Sequence, residues 1–299
     1  MSLTTTTVGP PSDVTRCAVT SQDGTRIGFL RVGAGPAVIA LHGSFQSAAS
    51  HLGLATALAD RFSVYLPDRR GHAMSGPTPA NYGMQSEVDD VAALAAETGA
   101  ANIYGISSSA LIALDAARQL PQLRRVAVYE PALLMDRSRY LGWMDRFDHE
   151  LAHGQVAAAL ITSMAGLDLA PPLFRLLPRR ALTTMTQMAM AREEKKTSTP
   201  ENTMRALAPT LRNEGLLLDE MAGRLESFAH LAADVLLMEG TRKGPEFIKP
   251  ALDALEVTLP HCSRVQFDGL DHGGPADVTD TNRRGNPPVV AAALRSFFR

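Results

Sequence analysis

Nine residues, Asn102 to Ala110, constrain this chain more than any others. The apolar run Ile103-Tyr104-Gly105-Ile106 meets three serines, and Ala110-Leu111-Ile112-Ala113-Leu114 continues as the apolar side of a helix. A strand that reaches a serine and turns at once into a helix is the setting of the G-x-S-x-G nucleophile elbow. Gly105 and Ser107 fit that pattern, and Ser109 stands where the last glycine is usual. So sharp a turn brings strand and helix almost into contact, so the residues two before and two after the nucleophile must be small. Serine satisfies that. The same residues can also be read as a polar connection with a serine N-cap on the helix.

Composition narrows the setting. The 299 residues suffice for one large α/β domain or two smaller ones, and 45% of them are hydrophobic, enough for a sizeable core without disulfides or metals. A net charge of −2 leaves no footprint for nucleic acid or an anionic membrane surface. Cys17 and Cys262 form no C-x-x-C, which fits packed thiols in a reducing, cytoplasmic setting. Met1 to Asp13 is Thr/Pro-rich without an apolar run and is expected to be a frayed tail rather than a signal peptide. No segment has the length and apolarity of a bilayer span.

Taken in order, Arg16–Thr20 and Thr25–Val32 read as strands joined at Asp23-Gly24, a hairpin signal. Ala37–Leu41 is a continuous apolar run of the kind buried on both faces of a parallel sheet, and it ends at His42-Gly43-Ser44. A helix over 48–60 and a strand over 62–66 follow, then a helix over 85–98 and the elbow strand. Helix 108–119 leads to strand 124–129, closed by Glu130-Pro131. Strand and helix alternating at this spacing predict a doubly wound, mostly parallel α/β sheet.

The pattern then changes. Residues 132–231 carry helical stretches and no convincing strand, broken by Pro171-Pro172, Pro178 and Pro200, with Arg192 to Lys196 as a solvated helix face. Eight of the twelve methionines lie here, either lining an adaptable apolar pocket or packing helix against helix. Afterwards strand 234–238, helix 246–259, strand 263–267 and helix 288–298 resume the alternation. The expected organisation is an α/β core over 14–131 and 232–299, interrupted by a helical cap over 132–231.

The chain resembles the α/β-hydrolase superfamily over nearly everything after residue 14. The resemblance rests on His42-Gly43, on Asp68-Arg69-Arg70-Gly71-His72-Ala73-Met74-Ser75-Gly76, on the Gly105–Ser109 elbow, and on Leu270-Asp271-His272-Gly273, in that order. The helical insertion also falls where that superfamily places its cap. The resemblance implies that Ser107 is the nucleophile and His272 the general base, since a serine needs a base to take its proton. It implies backbone N–H donors for an oxyanion at Ser108 and Ser44, or Phe45 if the loop is offset by one. Asp68, Arg69 and Arg70 resemble a structural loop. Of the remaining histidines, His42 is expected to support its loop, and His51, His149, His153, His230 and His261 to be structural.

The departure is the acid. Most of the superfamily has an Asp about three residues past a glycine after the penultimate strand, where this chain has Lys243. A lysine cannot orient an imidazole. Glu130 is the expected replacement, because its strand should lie beside the nucleophile strand and end in the same crevice, and some haloalkane dehalogenases are similar in this respect. Glu239 and Asp271 are the weaker candidates. The expected activity is a serine hydrolase acting on an ester, thioester or lactone-type bond of a small, largely apolar molecule. A non-hydrolytic cyclase, lyase or isomerase on the same scaffold, and a ligand-binding protein, are the alternatives. No cofactor and no metal are expected, and the expected partner is a small-molecule substrate, with neither nucleic acid nor membrane.

Overall fold

The computed structural model describes residues 14–169, 176–279 and 282–299. The tail Met1–Asp13 and the break at Pro171-Pro172 lie outside the described residues. Eight strands, β1 (Thr15–Thr20), β2 (Arg26–Val32), β3 (Ala37–Leu41), β4 (Ser63–Pro67), β5 (Asn102–Ile106), β6 (Arg125–Tyr129), β7 (Asp234–Gly240) and β8 (Cys262–Phe267), form one sheet in the order β1-β2-β4-β3-β5-β6-β7-β8. β2 runs antiparallel to both its neighbours, and every pair from β4 to β8 is parallel. The β1–β2 hairpin turns at Asp23-Gly24 as expected, with Gly24 at φ +85°.

The central strands are apolar on both faces. In β3, Ile39 and Leu41 join one core cluster while Val38 and Ala40 join the other, and the same alternation runs through β6 and β7. This two-sided burial is what the continuous apolar runs encode. Helix α1 (Leu52–Leu58) packs on one face, and α2 (Met84–Thr98) and α3 (Ser108–Gln119) on the other. The expected helix over 48–60 is divided, because Ser47 and Ser50 wind its start into a tight 3-10 turn before α1 begins.

Between β6 and β7 the described residues hold α4 (Arg137–Leu141), α5 (Met144–Ala152), α6 (Val156–Gly166), α7 (Arg179–Lys196), α8 (Met204–Leu207) and α9 (Leu211–Met221), and no strand. Phe147, Leu160, Leu217, Leu218 and Met221 from this insertion share the core cluster that covers α3. The methionines divide. Met190 and Met221 are buried, Met144, Met164 and Met204 half-buried, and Met135, Met185 and Met188 exposed, so they follow neither expectation uniformly. After β7 come α10 (Ile248–Thr258) and α11 (Pro287–Phe297), the latter on the α1 face.

The chain places β4 outside β3 and then crosses back to β5, so strand order reverses between β3 and β5. Open α/β sheets bind ligands beyond the carboxyl ends of the strands at such a reversal. His42-Gly43-Ser44 leaves β3 there, and Ser107 leaves β5 there. Strand and helix meet so closely at the second of these that a Cβ on Gly105 would lie 2.3 Å from the Ser109 carbonyl oxygen. Gly105→Ala is therefore expected to lower unfolding free energy by about 1–3 kcal/mol or more, measured by urea denaturation.

Candidate active site

Ser107 takes φ 59° and ψ −121°, a conformation that costs a non-glycine residue on the order of 1–3 kcal/mol. Backbone bonds hold it there. Its N–H donates to Tyr129 O at 3.0 Å, and its own carbonyl accepts from Ala132 N at 3.1 Å. Although Ser107 occupies the N-cap position of α3, its hydroxyl caps nothing and bonds to no other described residue. The N-cap reading therefore does not describe it. The two following serines are committed elsewhere. Ser109 Oγ accepts from Ile106 N at 3.0 Å and faces the carbonyls of Ile106 and Leu41 at 2.8 and 3.2 Å, tying the ends of β5 and β3 to the helix. Ser108 Oγ meets Arg69 Nη1 at 3.5 Å.

Glu130 ends β6, the strand beside the elbow strand, and its backbone sits at φ +46°. Its N–H donates to Met238 O at 2.8 Å, which ties the turn to β7. The carboxylate is buried, with Oε1 accepting from Gly240 N at 3.0 Å and Oε2 lying 2.6 Å from His272 Nδ1. A carboxylate facing a neutral imidazole requires the proton on Nδ1, which leaves the Nε2 lone pair free to act as a base. The His272 loop is fastened by Tyr129 Oη donating to Asp271 O at 2.8 Å and by Asn282 Nδ2 donating to Gly273 O at 2.9 Å. The other acid candidates are occupied. Glu239 accepts from Arg264 and Gln266, and Asp271 accepts from Gly273 N and Arg284. Lys243 is exposed.

The loop after β3 completes the crevice. His42 is buried, with Nδ1 bonded to Gly43 O at 2.9 Å and Nε2 accepting from Arg69 N at 3.1 Å. Burial pushes its imidazole well below the ordinary value, so it stays neutral and serves the loop, as expected. Among the described residues the backbone N–H groups of Ser44, Phe45 and Ser108 donate to no partner, so the preferred donors Ser44 and Ser108 and the alternative Phe45 are all unengaged. Asp68 is structural too, accepting from Ala48 N and Met74 N. Arg70 holds Asp90 in a two-pronged pair and also reaches Asp23.

Two side-chain clusters around this crevice carried no sequence signal. Glu214 on α9 forms a buried ion pair with Arg69 at 2.7 Å, and Glu87 and Tyr82 pack around the same guanidinium. Gln46 accepts from Gly43 N, and buried His51 reaches the same Gln46 oxygen. Both depend on side chains that converge from elements far apart in sequence or irregular in backbone, which no periodicity reports. His149, His153, His230 and His261 are exposed and away from these contacts. Among the described residues no group of three or more His, Cys, Asp or Glu side chains is placed to hold a metal ion, and no helix is long and apolar enough to cross a membrane.

Comparison with known proteins identifies the family and the fold. The sequence profile of the alpha/beta hydrolase family matches residues 38–282. The chain belongs to that family. It is 29% identical over 269 residues to a pimeloyl-[acyl-carrier protein] methyl ester esterase from Xanthomonas campestris pv. campestris, covering 89% of this chain and 96% of that protein. An alpha/beta hydrolase from Sphaerobacter thermophilus superposes with a TM-score of 0.75 at 28% identity, over 95% of this chain and 100% of the other. A carboxylesterase from Bacillus subtilis shares the fold at a TM-score of 0.67 and 16% identity, over 97% and 93% of the two chains.

The buried histidines make stability depend on pH. Burial lowers the His51 pKa from 6.5 to about 4. Between those values the unfolded chain binds a proton that the folded chain refuses, so His51 reduces stability progressively as pH falls from 6.5 to 4. His51→Gln, which cannot titrate, is expected to gain up to about 3 kcal/mol relative to the parent on going from pH 7 to pH 4, read from denaturation curves of both proteins.

Proposed function

We propose that this protein is a serine hydrolase that cleaves an ester, thioester or lactone-type acyl bond of a small, largely apolar molecule. The observation that carries the proposal is the 2.6 Å contact between His272 Nδ1 and Glu130 Oε2 at the strand end next to the Ser107 turn. Ser107 Oγ would attack the acyl carbon while His272 Nε2 takes its proton, and the imidazolium would be stabilised by Glu130. The oxyanion would accept from the N–H groups of Ser44 and Ser108, the latter at the N-terminus of α3, where the helix dipole favours negative charge. His272 would then protonate the leaving group, and water would release the acyl group from Ser107 by the same steps in reverse. The Ser107 hydroxyl bonds to no described residue, His272 included. Catalytic hydrogen bonds often tighten only once substrate is bound.

The relatives support the ester class, since the Xanthomonas protein is named as a methyl ester esterase. The segment 132–231 would serve as a cap on a core of 14–131 and 232–299, its α9 already joined to the elbow region through Glu214 and Arg69. A cytoplasmic setting fits the two unpaired thiols. The non-hydrolytic reading drew its strength from Lys243 in place of an acid, and the Glu130 contact weakens that ground.

A fluorophosphonate probe is expected to add one phosphonyl mass to the intact protein and to map to Ser107. An adduct on Ser108 or Ser109, or none at all, would refute the nucleophile assignment. Glu130→Gln should fold normally yet lower kcat on p-nitrophenyl esters by up to ~10⁴, as for a triad that loses its orienting carboxylate. Unchanged kcat in that variant would remove Glu130 from the mechanism.

A further inference from the structure

We infer that Gln46, backed by His51, is a positioning residue that sets the oxyanion-binding backbone of the 42–46 loop. The inference rests on the hydrolase reading above and adds to it two residues that act without touching substrate.

The loop belongs to no helix or strand, so side chains must define it. Both polar groups of the Gly43 residue are held in this way, its carbonyl by His42 Nδ1 at 2.9 Å and its N–H by Gln46 Oε1 at 2.9 Å. Gly43 has little room to shift, since a Cβ there would lie 3.3 Å from both Gln46 Oε1 and Ile106 Cγ2. The next N–H, that of Ser44, is the oxyanion donor of the hydrolase reading. Phe45 then takes φ +60°, a conformation a bulky residue keeps only where its surroundings enforce it. Gln46 closes the turn over these two residues by returning its side chain to Gly43.

His51 fixes Gln46 in turn. A backbone N–H can only donate, so the Gln46 atom facing Gly43 is the amide oxygen. His51 Nε2 lies 3.0 Å from that same oxygen, so it carries the proton and donates the second bond. Two donors converging on one oxygen prevent the amide from rotating away. His51 is 1% exposed and remains neutral down to about pH 4, so the support is constant across the working range. A neutral amide also suits the task, since it orders the loop without setting a negative charge next to a developing oxyanion. Nearby, Asp277 donates its N–H to Ser50 O and accepts from Gly53 N. The segment that follows His272 is thereby fastened to the same turn that holds His51.

The test uses Gln46→Leu, Gln46→Glu, His51→Gln and His51→Leu, with Ser107→Ala as control. Each is measured for kcat and KM on p-nitrophenyl butyrate, for affinity toward phenylboronic acid, which forms a tetrahedral anionic adduct on a nucleophilic serine, and for melting temperature. Gln46→Leu should lower kcat ~10–10²-fold, less than loss of a direct oxyanion donor. KM should stay within about threefold, and boronate affinity should weaken in proportion to kcat. Gln46→Glu keeps the acceptor and the shape but adds charge, and should fold as the parent does while losing boronate affinity. His51→Gln retains a donor and should stay close to the parent, whereas His51→Leu should follow Gln46→Leu. A folded Gln46→Leu or Gln46→Glu with parental boronate affinity overturns the inference, as does a kcat loss that boronate affinity does not track. Boronate binding no tighter in the parent than in Ser107→Ala would instead refute the hydrolase reading itself.

Discussion

The crevice at the carboxyl ends of the strands is shaped by how closely strand β5 approaches helix α3. With the Ser109 carbonyl within 2.3 Å of where a Gly105 Cβ would sit, the backbone has no path except through the strained conformation of Ser107. Among the described residues the Ser107 hydroxyl is left without a partner, while the hydroxyls of its two neighbours are bonded. Ser109 illustrates the trade. A glycine would also fit, but the serine hydroxyl satisfies the buried Ile106 N–H and reaches toward Leu41, fastening the two strands between which the crevice opens.

A second strained residue, Glu130 at φ +46°, mirrors the first on the adjacent strand. The pairing Ile106↔Tyr129 puts the two turns side by side, and Ser107 N–H closes the gap by donating to Tyr129 O. Parallel strands in register deliver their terminal residues to one edge, so the ends of β6 and β7 meet at the same crevice. Gly240, which a conventional arrangement would place just ahead of the acid, here donates its N–H to Glu130 Oε1.

Much of this was legible in the residues themselves. Apolar runs such as Ala37–Leu41 announced doubly buried strands, and Asp23-Gly24 announced the hairpin, because both signals are local. The place of Glu130 beside the elbow was legible by topology, since the strand after the elbow helix was expected next to the elbow strand, where it lies. Less local features were hidden. The division of the first helix depends on two serines bonding each other, the exposure of Met185 and Met188 on the packing of α7, and the roles of Gln46 and Glu214 on side chains that converge from irregular or distant backbone. Hydrophobic periodicity reports which face is buried and says nothing about which polar atoms meet there.

The buried pair between Arg69 and Glu214 joins the inserted helices to the floor of the crevice. Around it, Glu220 accepts from Met84 N, Asn213 donates to Thr78, and Gly223 N donates to Leu134 O. Removing either partner of such a buried pair typically costs about 3–5 kcal/mol, because the other charge is left uncompensated. The segment between β6 and β7 is thereby anchored to the α/β core from within, by a buried charge pair as well as by the apolar side chains of α9.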